Sequence, residues 1–113
     1  MLIGEPYWWQ LPMTEKIAQA CGVSSLAYCL TLPGFVSAFD ELGYDVVEMV
    51  LADQEGWDCY EAAKWLTMRH WLQANPDDDF SAEVRSELTV SPKRHVMYAR
   101  EYFGWGVFAL IAR

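Results

Sequence analysis

From Trp105 to Ile111 the chain is an apolar run of aromatic and β-branched side chains, entered at Gly104 and interrupted only by Gly106. Such a run predicts a strand covered on both faces. A strand of that kind needs a neighbour on each side. Only two other stretches read as strands, Met1–Gly4 and Val46–Ala52. The tail is therefore expected between them, in a small mixed sheet. The first strand is then left with a bare outer edge, as though the sheet belonged to a larger one.

Between these strands the punctuation is helical. Glu5-Pro6 is expected to close the first strand, and Tyr7-Trp8-Trp9-Gln10-Leu11-Pro12 to form an aromatic loop. Thr14 and Thr31 are placed to cap helices that stop at Gly22 and Gly43. Leu32, Phe35, Val36, Phe39 and Leu42 recur at helical spacing in the second. Trp57 to Ala74 predicts a long helix, with Trp57, Tyr60, Glu61, Lys64, Trp65, Met68, Trp71 and Leu72 on one broad face. Ser81 or a preceding aspartate is expected to start another helix, and Ser91-Pro92 a last one that runs to about Phe103. Strand, helices, strand, a long helical excursion and a final strand make an α/β chain, read as one domain over residues 1–113. Long excursions at strand ends commonly carry function.

Charge and cysteine content narrow the partners. A formal charge of −8 disfavours nucleic acid and anionic membrane. The densest acidic run, Asp77-Asp78-Asp79, is a turn and not the carboxylate-covered face of a DNA mimic. Cys21, Cys29 and Cys59 are odd in number and lack metal-site spacing, so free thiols in a reducing cytoplasm are expected, with no metal centre. Met1-Leu2-Ile3 shows no basic leader, and no apolar run is long enough to span a bilayer. Six tryptophans exceed what one small core needs, so some are expected to line a pocket or interface.

Four segments together resemble one family. They are Leu2-Ile3-Gly4-Glu5-Pro6-Tyr7-Trp8, Leu32-Pro33-Gly34-Phe35 with Glu41-Leu42-Gly43-Tyr44-Asp45, Gly56-Trp57-Asp58-Cys59-Tyr60-Glu61, and Tyr98-Ala99-Arg100-Glu101-Tyr102-Phe103-Gly104-Trp105-Gly106 with its apolar tail. They look like the C-terminal, substrate-side part of a class I S-adenosylmethionine-dependent methyltransferase acting on small molecules. The resemblance covers essentially the whole chain. It implies a partial Rossmann-like fold, with Met1–Gly4 as the fifth strand of the family sheet, Val46–Ala52 as the sixth, and Trp105–Ile111 as the central antiparallel seventh. The family's strand, glycine-rich turn and helix for the cofactor have no counterpart here. Gly104-x-Gly106 precedes a strand and has no third glycine. S-adenosylmethionine is thus expected in the intact family fold and not fully on this chain alone, which is expected to be inactive by itself. The cofactor-binding residues stay unassigned.

On this reading Glu5, expected just past the C-terminal end of a strand, is the candidate catalytic carboxylate; a solvated turn carboxylate is the plain alternative. Tyr7, Trp8 and Trp9 are candidates for a wall against substrate or sulfonium, the alternative being simple loop packing. Trp57, Tyr60 and Glu61 are candidates for a substrate cover. Arg100 is a candidate substrate ligand or, as the plainer reading, half of a structural ion pair with a carboxylate such as Glu5 or Glu61. His70 and His95 have the chemistry of a base, but each sits beside an arginine on a helix and is expected to be exposed or half-exposed. The open alternatives are a stand-alone binding module, one subunit of a split enzyme and a truncated gene product. In each case a homodimer or a partner chain is expected to cover Met1–Gly4.

Overall fold

A computed structural model describes residues 1–113. The elements are β1 (Leu2–Trp8), α1 (Glu15–Ala20), a short 3-10 turn (Leu26–Tyr28), α2 (Leu32–Glu41), β2 (Tyr44–Leu51), α3 (Gln54–Ala74), α4 (Ser81–Arg94), a π turn (His95–Ala99), α5 (Arg100–Tyr102) and β3 (Phe103–Ala112). The sheet order is β1-β3-β2, with β3 antiparallel to both neighbours. The tail is therefore the middle strand, and β1 and β2 run parallel to each other on its two sides.

Local chemistry fixes most boundaries. Thr14 accepts from the Ile17 amide and Thr31 from the Gly34 amide, each an orphan donor of a first helical turn. Gly43 stops α2 with φ of 86°, a left-handed value that costs glycine little. Asp53 caps α3 through the Gly56 amide at 2.7 Å, so this helix begins before the expected Trp57.

Three expectations are corrected. Glu5-Pro6 does not end the first strand; β1 continues to Trp8, with Pro6 opposite Trp105. Proline is tolerated because β1 is an edge strand, where one flank needs no donor. Tyr7 and Trp8 consequently leave the expected loop and become buried strand residues. Ser91-Pro92 does not start a helix either. It lies inside α4, and the Ser91 hydroxyl accepts from the Trp65 indole at 3.0 Å instead of capping. Proline removes one rung of the ladder, and the helix widens into the π turn three residues on. Finally, β3 is central but not sealed on both faces. Gly106, Phe108 and Leu110 are buried, whereas Trp105 on the other face is 37% exposed.

The core consists of two small groups. Phe39, Phe108 and Leu110 pack α2 on one face of the sheet, with Ile3, Phe35 and Val46 around them. Trp8, Ala18 and Cys21 pack α1 beside the strand ends, against Phe103 and Tyr102. The α3–α4 hairpin extends from the opposite face, and no residue of α3 is fully buried.

Candidate functional site

Parallel directions put the C-terminal ends of β1 and β2 at the same sheet edge, where β3 begins. Ligands of open α/β sheets bind at that edge. Two cavities meet there at Trp57. One, of about 330 Å³, lies between the sheet and the helical hairpin and is lined by Pro6, Trp57, Tyr60, Glu61, Arg94 and Trp105 among others. The other, of about 210 Å³, sits at the strand ends among Tyr7, Trp9, Asp53, Trp57, Arg100 and Gly104.

Trp57 is the partition. Its ring stacks on Tyr60 at 5.7 Å and on Trp105 at 6.5 Å, with interplanar angles of 12° and 15°. The Trp105 ring lies against Gly4, where an added Cβ would meet it at 3.0 Å. The outer rim of the larger cavity is charge-balanced. Glu61 pairs with Lys64 at 2.9 Å, and Glu87 pairs with Arg94 at 2.9 Å. Lys64 also lies 5.1 Å from the Tyr60 ring centre.

Behind this wall Asp58 ties the hairpin to the return segment. Its carboxylate lies 2.7 Å from His95 Nε2 and accepts from Arg100 Nε at 3.0 and 3.1 Å. The Arg100 hydrogen bond, and after it that of His95, hold the Asp58 carboxyl below its ordinary range. His95 is 4% exposed and lies against the edge of Trp65, with ring centres 5.8 Å apart. The expected exposure of His95 is thus corrected, and Arg100 pairs with Asp58 and not with Glu5 or Glu61. His70 is exposed, as expected.

Of the sequence candidates, Tyr7, Trp9, Trp57 and Arg100 come together in the smaller cavity. Trp57, Tyr60 and Glu61 share the larger one. Trp8 lines neither. It is 1% exposed, stacks on Phe103 at 4.4 Å and donates its indole N–H to the Leu26 carbonyl at 2.8 Å. Glu5 also lines neither. It is half-buried in mid-strand opposite Gly106, on the face that carries Ile3 and Phe108. Sequence reasoning missed Asp58, because its partners are 37 and 42 positions away. A carboxylate adjoining an aromatic helix face, with a histidine and an arginine five residues apart downstream, was the available signal.

The chain's strand-to-helix turns do not form an S-adenosylmethionine cradle. The turn after β1 runs from Trp9 to Thr14 without glycine, and that after β2 is Ala52-Asp53, with Gly56 already inside α3. No strand is followed by a glycine loop whose amides could take the cofactor's carboxylate or ribose.

No family model matches the chain. It is 81% identical over all 113 residues to the protein YjhP of Escherichia coli K12, of which it spans 46%. The X-ray structure of that protein superposes on the whole chain with a TM-score of 0.96. A SAM-dependent methyltransferase from Geobacter sulfurreducens, in complex with S-adenosyl-L-homocysteine, is 62% identical over 99% of the chain with a TM-score of 0.91. One from Thiobacillus denitrificans, in complex with the same molecule, is 59% identical over 99% of the chain with a TM-score of 0.90. The chain spans 45% of each of those two proteins and matches the C-terminal part of both. In sequence and in fold, then, this chain corresponds to the C-terminal part of S-adenosylmethionine-dependent methyltransferases.

Proposed function

We propose that the chain supplies the substrate-facing side of a methyltransferase acting on a small molecule. The observation that carries this reading is the 59–62% identity, over 99% of the chain, to methyltransferases in complex with S-adenosyl-L-homocysteine. When bound in the complete fold, S-adenosylmethionine supplies the methyl group. The residues of this chain contain and orient the acceptor. Trp57, Tyr60 and Trp105 form a flat wall, and Asp58 holds His95 and Arg100 in place behind it. Positioning of this kind is a large share of catalysis where the reaction needs alignment. The chain alone is inactive, because it lacks the cofactor's glycine loop. Three free thiols suit a reducing cytoplasm, and no helix is long and apolar enough to cross a membrane.

The surface supports an absent partner. The chain exposes 7482 Å², whereas a compact protein of 13.0 kDa exposes about 6,300 Å². Its radius of gyration is 16.9 Å, against about 13 Å expected for this length. The excess of about 1,100 Å² exceeds what one side of a standard protein interface buries, about 800 Å². Leu2 on the free flank of β1 is 74% exposed. A second copy or a partner chain covers that edge by strand addition.

The test is a titration of the purified chain with S-adenosyl-L-homocysteine, run beside a methyl-transfer assay in which the chain is mixed with the N-terminal part of the Geobacter sulfurreducens relative. No saturable binding and no turnover are expected from the chain alone, and turnover is expected from the mixture. Tight saturable binding to the chain alone overturns the incomplete-site reading. In sedimentation, a stable monomer at micromolar concentration rejects the homodimer.

A further inference from the structure

The cavity at the strand ends has hydrogen-bond donors that the protein leaves unused. Tyr7 is 1% exposed and lines this cavity, yet no protein group bonds to its hydroxyl. Burial alone perturbs that phenol, raising its pKa. The ring lies so close over Gly104 that a Cβ there would come within 2.6 Å of the hydroxyl oxygen. Only glycine leaves room for the phenol at this spot. Arg100 commits only Nε to Asp58, which leaves both terminal nitrogens without a protein partner. These two groups stand on different elements, β1 and α5, and both line the same space.

The charges around the cavity select the ligand. The Arg100 charge is offset by Asp58. Asp53 also lines the cavity; it uses one oxygen on the Gly56 amide and adds a negative charge. Gln54 turns its amide nitrogen to the Arg100 carbonyl and brings no charge. A carboxylate entering here meets one cation against two anions. A neutral oxygen acceptor meets the same donors without that repulsion. Trp9, Trp57 and Phe103 supply flat apolar walls.

We propose that this cavity binds an uncharged, flat molecule through a carbonyl-type oxygen, which accepts hydrogen bonds from the Tyr7 hydroxyl and the terminal Arg100 nitrogens. This names a substrate class for the reading above and rests on it. Trp57 is the reporter. Its indole N–H is enclosed and unpartnered, so its resonance is set by the ring stack and not by a bond to a protein acceptor.

The experiment is a ¹H–¹⁵N NMR titration of the full chain with acetophenone and with benzoate, two probes of nearly equal shape that differ in charge. Acetophenone is expected to shift the Trp57 indole and Gly104 amide signals saturably in the millimolar range, as suits a ligand of so few atoms. Benzoate is expected to bind about tenfold more weakly. Tyr7→Phe keeps the ring and is expected to weaken acetophenone about fivefold, the value of one hydrogen bond. Trp9→Ala, at a site 66% exposed, provides a second variant that the fold tolerates and is expected to weaken binding as well. Benzoate binding as tightly as acetophenone overturns the proposal, as does the absence of both shifts or an unchanged affinity in the two variants. Shifts of the same two signals by S-adenosyl-L-homocysteine would overturn the incomplete-site reading. They would leave the preference between the two probes, on which this inference stands, intact.

Discussion

The extension of β1 through Glu5-Pro6 makes a sharp stability prediction at adjacent tryptophans. Trp8 is 1% exposed and Trp9 66% exposed. Trp8→Phe keeps an aromatic ring for the stack on Phe103 but removes the N–H that reaches the Leu26 carbonyl at 2.8 Å. Leaving a part-buried carbonyl without its donor costs about 1–2 kcal/mol. The smaller ring loses several tens of Å² of buried apolar contact, about 1 kcal/mol more. The sum, about 2–3 kcal/mol, lowers Tm by about 10 °C in a chain of this size. Trp9→Phe is expected to stay within about 0.5 kcal/mol of the parent. Thermal and urea unfolding followed by circular dichroism measure both, and equal urea slopes show that the unfolding transition is the same. Equal stability of the two variants, or a larger loss at Trp9, refutes the placement of Trp8 in the core and with it the continuation of the strand past Pro6.

Three further outcomes are expected. Gly104→Ala forces its new methyl group into the Tyr7 phenol; Tyr7 fluorescence and acetophenone binding both change, with a stability loss of about 1–3 kcal/mol. Arg100 and then His95 hold the Asp58 carboxyl below its ordinary range, so this pairing stabilises the fold above the unfolded carboxylate's pKa, about 3.9, and the benefit is lost as pH falls through the lower folded value. Asp58→Asn is expected to lower stability at neutral pH and to flatten the decline between about pH 4 and the acid limit, read from urea midpoints at several pH values. Cys59 is exposed, whereas burial raises the Cys21 thiol and pushes Cys29 up to about 12. One thiol is therefore expected to react promptly with a disulfide reagent at pH 8 and two slowly, with peptide mapping placing the fast site at Cys59.

The legible parts of the fold are those set by local chemistry or by a long apolar pattern. Thr14, Thr31 and Gly43 act through neighbours three or four residues away, and they mark their helices where the sequence puts them. The tail could be placed between its partners because Val107, Phe108 and Leu110 leave no polar face to turn outward. The boundary at Pro6 was not legible. Proline ends a strand that needs donors on both flanks and is tolerated in one that needs them on a single flank. Edge position is a property of the assembled sheet, so the dipeptide alone reads the same in either case.

The site was half legible for a related reason. Tyr7, Trp9, Trp57 and Arg100 stood out as residue types suited to a binding wall, and they line one cavity. Asp58 did not stand out, because its role depends on the backbone between its two partners. In an α-helix, residues five apart point about 140° away from each other, so His95 and Arg100 would not both face one carboxylate. The π turn over His95–Ala99 brings them to the same side, and Asp58 receives both. That turn begins three residues after Pro92, downstream of the one rung the proline removes, and the His95 amide still bonds the Ser91 carbonyl. The proline that looked like the start of a helix lies inside one, and no single residue type announces the widening that follows it.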